Sequence, residues 1–560
     1  KLSSTLLQHL QSCGGLEITS LRWKTLSFRP TSTMEDTKVE QYVTEKDTVE
    51  TLEEIKGGEA LDTIEDTKPG PFVWLCAAAT AIGGMLFGYD TGVISGVLVV
   101  LGSDLDGRPV TDSEKELITA LCAAGALVGA VVAGITSDKY GRKPAIWFAS
   151  ILFTLGAIIQ ATSFTVAQMS VGRFLIGLGV GSASMIVPLY IAEISPARFR
   201  GRMISVDMIF LGTGSVLAYA FDAAFYKVNH GWRYMIGLGA IPSILLGVFL
   251  FLCPESPRQL LFNGRREECV HVIRRIYPAA TEEQVEAKVL SIERGVTEAK
   301  ALNEEISIKA SLGMLFRKPA NRRAGIAACG LMFFQQFCGF NTLMYYSSTL
   351  FDIVGFSNPI AVGSVVAIVN WIFTVLSILL IDRIGRRRLL LWTMWGMPVC
   401  LVLAAIAFHR VPMDHKTLEL TSDVVGWPAI LVLVAMILFV AFYAAGLGCV
   451  PWQANEFLPM EVRSMGTMMI NIFNWGPNIV VSSTFLTMMK SMTPSGTFGF
   501  YAGLCFLGWI FVFCCFPEAS NMTLEEVRRV FEHGFGVKYA EQWRKEYKQG
   551  LKARGPTGTA

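Results

Sequence analysis

The charge pattern Glu193 to Arg200, carried by the run AEISPARFRG, returns as Glu456 to Arg463 in NEFLPMEVRSMG, and Pro254-Glu255 returns as Pro517-Glu518. Each second copy lies 263 residues after its first. These duplicated charges sit at the edges of long apolar segments, which restricts the chain to folds built of two homologous halves in a membrane. Chains of that design are usually transporters with a site between the halves.

Composition agrees. The 560 residues are 52% hydrophobic and 17% charged, well below the ~25% charged of soluble domains, and mean hydropathy is +0.45. The 52 glycines and 22 methionines suit close packing of helices in lipid. A net charge of +2 gives no ground for a nucleic-acid partner. The 12 cysteines include no CxxC pair, and Cys514-Cys515 are adjacent within an apolar run, so free thiols are expected and no metal or cofactor.

From Phe72 onward apolar stretches alternate with short polar links, and about twelve crossings of ~20 residues place them all. They fall near 72–99, 117–136, 145–163, 166–190, 203–225, 233–253, 324–350, 359–381, 389–408, 427–452, 466–489 and 498–516. The expectation is an all-α membrane protein of twelve transmembrane helices in two pseudo-symmetric six-helix bundles, 71–254 and 323–517. A cytoplasmic linker with short amphipathic helices, 255–322, joins them. Residues 1–70 are polar and acidic and are expected to be disordered, and 518–560 form a tail. The chain begins at Lys1, Met34 is the expected initiator, and residues 1–33 resemble a transit peptide only weakly.

Basic clusters set the orientation. Lys139, Arg142 and Lys143, then Arg198, Arg200 and Arg202, then Arg383, Arg386, Arg387 and Arg388 follow the second, fourth and eighth stretches. Those links are expected inside, with both termini, and the acidic link around Asp104 to Glu116 outside.

A charge at mid-bilayer costs at least ~2.5–3.5 kcal/mol, so an ionisable residue in a span calls for a function. Asp90 and Arg173 both fall roughly 10–15 Å below the outer surface at 1.5 Å per residue, where they can pair. A carboxylate that loses such a partner in low dielectric takes up a proton, which is what proton coupling requires; the alternative is a fixed packing lock. Asp207 and Asp222 fall near the ends of the fifth span, where solvated carboxylates are expected. Along the seventh span Phe334, Asn341 and Tyr345 share a helical face bordered by Gln335. With Gln336, Asn370, Trp452, Asn474 and Asn478 they offer donors, acceptors and an aromatic platform suited to a neutral polyhydroxylated solute. The alternative for any one amide is interhelical hydrogen bonding.

These residues resemble the sugar-porter branch of the major facilitator superfamily from Phe72 to Glu526. FGYDTGVISG (Phe87 to Gly96), Asp138 to Lys143 repeated as Asp382 to Arg387, VGRFLIGLGVG around Arg173, PESPR, QQFCGFN and VPWQANEFLP carry the resemblance. Within that branch WRYMIGLGAIPS, CPESPRQL, GRREEC and EFLPMEVRSMGTMM are most similar to fungal myo-inositol transporters. The resemblance implies the twelve-helix fold, rocking between inward and outward states, and proton symport through Asp90 and Arg173. It implies sugar contacts at Gln335, Gln336, Asn341, Asn370, Trp452 and Asn474. A cytoplasmic charge network follows on Asp138, Arg142, Glu193, Arg200, Glu255, Arg258, Asp382, Arg386, Glu456 and Arg463, expected to latch the halves together. In the fifth span Met208 and Ser215 stand where the family carries amides, with Ser215 still expected at the site. The closing PEASNMTLEEV also departs from the family string.

The leading expectation is a monomeric plasma-membrane protein, not an enzyme, that takes up a polyol or monosaccharide with protons, myo-inositol first. Facilitated diffusion or transport of another cyclic solute is the alternative that Met208 and Ser215 leave open. A nutrient sensor is another, weakened by the short tail.

Overall fold

Lipid offers the backbone no hydrogen-bond partner, so each apolar stretch closes its bonds internally as helix. The computed structural model describes residues 63–553 apart from 66, 306, 307, 414–417, 419, 421–425, 453–456, 520, 521 and 523. Among the described residues there is no strand, and twelve spans follow in order. The first six are Pro71–Val100, Asp112–Tyr140, Arg142–Ala161, Val166–Ile194, Arg200–Phe225 and Gly231–Leu252. The second six are Pro319–Ile353, Pro359–Ile384, Arg386–His409, Trp427–Ala445, Met460–Ser491 and Thr493–Cys515. Eleven are long and apolar enough to cross a membrane. The eleventh span, 32 residues long, carries Asn471, Asn474 and Asn478 through its middle.

Packing of the first span explains one sequence pattern. Gly84, Gly88, Gly92 and Gly96 recur every fourth residue and form a groove for the fifth span. A Cβ at Gly92 would lie 3.0 Å from the Ser215 carbonyl oxygen, so side chains there would force the helices apart. The same groove corrects the reading of Asp207 and Asp222. They lie toward the ends of the fifth span, yet both are buried, because Gly84 and Gly96 leave room for their carboxylates.

The seventh span is not one helix. It stops at Phe337, passes through Gly339 at φ 85° and restarts at Phe340, so the expected face joining Phe334 to Asn341 does not exist. Phe334 packs on Phe511 instead, with ring centroids 5.3 Å apart. The tenth helix ends at Ala445 rather than running to 452.

The linker holds helices Pro257–Phe262, Arg266–Ile276, Glu282–Glu305 and Ile308–Arg317. Cys269, Val272, Ile273 and Ile276 form the buried stripe of the second, at the spacing an amphipathic helix requires. The third, at 24 residues, is longer than expected. Residues 63–65 form a helical turn with Ile64 fully buried. Glu65 there accepts from Lys288 Nζ (2.5 Å), Tyr277 OH (3.1 Å) and the Ala197 N–H (2.8 Å). Burial pushes the Glu65 carboxyl up, but Lys288 and the other donors outweigh it and hold it below its ordinary value. Disorder expected through residue 70 is therefore overturned for this turn, while residues 1–62 lie outside the described residues.

Two apolar clusters make the core. One fills the inner half of the first bundle, from Val73 and Leu86 to Leu250 and Ile276. The other joins the second bundle to the outer ends of the first and fifth spans, from Tyr89 and Val97 to Tyr219. The halves thus share a core on the side of Val100 and Asp112, the expected outer side.

Candidate functional site

Asp90 and Arg173 meet. The Arg173 Nη1 donates to Asp90 Oδ1 in an ion pair with both residues buried, and the Cys122 thiol donates to Asp90 Oδ2 at 3.0 Å. Three helices converge here, and Gly125 and Gly177 let the second and fourth approach backbone to backbone, since a Cβ at Gly177 would collide with the Cys122 carbonyl oxygen. Tyr345, across the halves, lies within electrostatic reach of both charges.

Tyr345 leads into a chain of amides. Its hydroxyl lies 3.4 Å from Asn478 Oδ1, Asn478 Nδ2 donates to Gln336 Oε1 (3.0 Å), and Asn341 Nδ2 donates to the same oxygen (2.5 Å). Gln336 Nε2 donates in turn to Asn474 Oδ1 (2.5 Å). The break at Gly339 aims Gln336 and Asn341 at one another, and the spacing of Asn474 and Asn478 puts both on one face of the eleventh span. Each amide carries donors and an acceptor, so hydroxyl groups of a solute can exchange for bonds the amides now make among themselves. Gln335 bonds instead to the Leu447 carbonyl at 3.0 Å. Asn370 is buried on the eighth span outside this chain, and Trp452 is half-buried beyond the tenth helix.

Ser215 is elsewhere. Its hydroxyl donates to the Gly88 carbonyl at 2.9 Å inside the first–fifth helix contact, and Met208 is half-buried lower on the same span. The glycine groove, not a cavity, explains the serine. Sequence reasoning missed Trp475, which packs on Phe87 of the first span at 5.6 Å and belongs to the inner core of the first bundle. Its Nε1–H is buried and makes no hydrogen bond among the described residues. Adjacency to Asn474 was the available signal.

Contacts on the expected outer side were also missed. Ser95 Oγ lies 3.0 Å from both Ser347 Oγ and Ser348 Oγ, and Tyr219 OH donates to the Met344 carbonyl at 2.9 Å. Buried Glu116 accepts from Thr487 N–H (2.8 Å) and Oγ1 (2.7 Å), and Lys490 pairs with Asp112. All of these join one half to the other.

Cytoplasmic charges behave differently. Arg142 bonds Asp138 Oδ1 (2.8 Å), Glu193 Oε1 (3.1 Å) and Gln259 Oε1 (3.1 Å), and Ser256 donates to Glu193. Glu255 accepts the backbone N–H groups of Arg142 (3.1 Å) and Lys143 (3.3 Å) at the start of the third span. Glu518 repeats this in the second half, accepting those of Arg386 (3.2 Å) and Arg387 (3.1 Å). Gly141 and Gly385, at φ 108° and 96°, make the matching turns. The duplicated Pro-Glu is therefore an N-terminal cap used twice. The described bonds of Asp138, Arg142, Glu193 and Glu255 lie within the first half, and the Arg386 N–H bonds Glu518 within the second. Arg200 and Arg258 are exposed outside the first-half cluster, and the side chains of Asp382, Glu456 and Arg463 lie outside the described residues.

Residues 76–531 match the family profile described as "Sugar (and other) transporter". The chain is 44% identical over 482 residues to "Myo-inositol transporter 1" of Cryptococcus neoformans, covering 86% of this chain and 85% of that protein. Against "Myo-inositol transporter 2" of Schizosaccharomyces pombe identity is 43% over 472 residues, covering 84% of each. Among solved structures, the inward open xylose transporter XylE of E. coli superimposes with a TM-score of 0.67 at 26% identity, over 82% of this chain and 99% of that one. The proton:xylose symporter XylE bound to 6-bromo-6-deoxy-D-glucose gives 0.66 at 25%, over 82% and 99%.

Proposed function

Because the chain belongs to the sugar transporter family of the major facilitator superfamily, we propose that it carries a small polyhydroxylated solute, myo-inositol first, together with protons by alternating access. The observation that carries this reading is the buried Asp90–Arg173 pair placed within reach of Tyr345, which opens the amide chain Asn478, Gln336, Asn341 and Asn474. An amide cluster recognises hydroxyl groups without asking for charge, and a carboxylate held by a movable guanidinium exchanges its partner for a proton when the helices shift. Solute and proton then share one set of helices, the first, fourth, seventh and eleventh, so neither site changes without the other. The names of the fungal relatives favour inositol.

In this conformation the halves share the outer core, and they also meet deeper in the membrane, where Trp475 packs on Phe87 and Asn471 Nδ2 lies 3.3 Å from Met185 Sδ. The expected setting is the plasma membrane, with a monomer and both termini in the cytoplasm. One observation favours facilitated or altered transport: Ser215 faces the first span and Met208 offers no hydrogen bond to a solute, so the fifth span contributes no amide to the site.

Asp90→Asn separates these readings, measured with labelled inositol, hexoses and cyclic acids in transporter-deficient cells. The amide mimics the protonated acid, so accumulation against a gradient should vanish while exchange of internal for external solute persists. A variant that still concentrates inositol and acidifies the cell excludes Asp90 as the coupling group. A wild type that takes up no polyol excludes the substrate class.

A further inference from the structure

One cavity, of about 790 Å³, is not in the solute pathway. It lies at the expected cytoplasmic corner of the first bundle, between the ends of the second and sixth spans, the start of the third, and the linker helix Arg266–Ile276. Its wall on the membrane side is aromatic and open: Tyr140 is 64% exposed, Trp147 44% and Phe251 71%, and Trp147 and Phe251 meet edge to face at 6.3 Å. Its floor is charged, and most of that charge is already used. Glu255 is consumed by the helix start at Arg142 and Lys143, and Glu268 is paired with Arg265 at 2.5 Å. Two cations remain. Lys143 Nζ rests on the Cys253 carbonyl at 2.8 Å, and the Arg275 guanidinium stacks on Phe72 at 3.6 Å. Among the described residues neither has a carboxylate partner, and Glu267 is the single acid on the lining without a described partner.

We propose that this cavity binds an anionic glycerophospholipid of the inner leaflet, its phosphate on Lys143 and Arg275 and its acyl chains along Trp147 and Phe251. Lys143 and Arg275, which no carboxylate engages among the described residues, offer the phosphate two cationic contacts, and each basic group at a membrane surface strengthens anionic-lipid binding by roughly a factor of five. The aromatic wall selects a lipid over a soluble phosphate, because tryptophan and tyrosine settle at the headgroup level. Such a lipid would tie the linker to the third and sixth spans of the same bundle, leaving the second bundle free to rock.

The test uses full-length protein reconstituted in phosphatidylcholine discs doped with phosphatidylserine, with lipid retained after detergent extraction counted by native mass spectrometry. Wild type should retain phosphatidylserine above its bulk share. Lys143→Gln and Arg275→Gln, on separate elements, should each lower retention about fivefold, Arg275→Lys should restore it, and Trp147→Ala should lower retention of both lipids. Melting temperatures measured alongside separate lost lipid from lost fold. Retention at the bulk share in wild type, retention unchanged in both glutamine variants, or displacement by water-soluble glycerophosphoserine at the concentration that lipid requires would each overturn the proposal. Solute uptake plays no part in this readout, so it stands or falls apart from the transport reading.

Discussion

Glu116→Ala should open the outer side. The Glu116 carboxylate, 4% exposed, holds Thr487 of the opposite half through two hydrogen bonds of 2.8 and 2.7 Å. A hydrogen bond to a charged group contributes about 1.5–3 kcal/mol net, and counting the two as one such interaction allows for the water that Glu116 regains when the halves part. Losing it should move the outward/inward equilibrium toward outward by about tenfold to 150-fold. The neighbouring Asp112–Lys490 pair has a third or more of each side chain exposed, so it contributes at most about 1 kcal/mol, and Lys490→Met should shift the same equilibrium by fivefold or less. Cys122 reports the change, because its thiol sits on Asp90 beneath the closed side. Its labelling by a membrane-impermeant maleimide applied from outside should accelerate in Glu116→Ala, with Cys122→Ser as the blank. If the folded variant labels at the wild-type rate, the second–eleventh contact does not hold the outer side closed.

Ser215→Gln places a longer side chain against Gly88 and Gly92, so it should cost about 1–3 kcal/mol of stability by overpacking, read as a lower melting temperature, with no gain in inositol affinity; tighter inositol binding would put Ser215 back at the site. Glu255→Ala and Glu518→Ala remove equivalent caps and should each destabilise by about 0.5–2 kcal/mol, and a loss confined to one of them would break the structural equivalence of the repeats. Glu65 is held below its ordinary value, so its contribution is complete above the unfolded carboxyl value and fades as pH falls through the folded one. Proteolysis just ahead of Thr63 should therefore quicken in acid for wild type and lose that pH dependence in Glu65→Gln.

Spans, duplication and the buried ion pair were legible because each follows from a one-dimensional cost: apolar length for the spans, and mid-membrane charge for Asp90 and Arg173. What the sequence concealed depends on which face a residue turns. Ser215 was placed at the site by its glycine-aligned position, yet a groove of four glycines on another helix took up its hydroxyl. Phe334 and Asn341 obey helical spacing, but Gly339 at positive φ rotates the second segment and substitutes Gln336 as the neighbour of Asn341. Likewise Glu255 was visible in the Pro-Glu repeat and was expected in a latch between halves, whereas its described bonds cap the third span, as those of Glu518 cap the ninth. A carboxylate capping its own bundle and one latching the opposite bundle leave the same trace in sequence.

The two cores meet at the first span, and that meeting bears on coupling. Leu86 belongs to the inner core of the first bundle, whereas Tyr89 belongs to the core shared with the second. Asp90 follows directly, one helical turn from Leu86. Opening the outer side must separate the shared core, and the first span, like the second, fourth and sixth, has residues in both. The stretch from Leu86 to Tyr89 is then pulled by two bodies that part company, and Asp90 is the charge nearest that seam. Arg173, on the fourth span, belongs to the first bundle and contacts no outer partner by a described hydrogen bond other than Asp90. A proton on Asp90 removes the attraction holding the seam to the fourth span, and a solute on Gln336 and Asn341 alters the seventh span that Ser95 grips from the first. Both ligands thus act on one helix, which is the physical condition for one to change the affinity of the other.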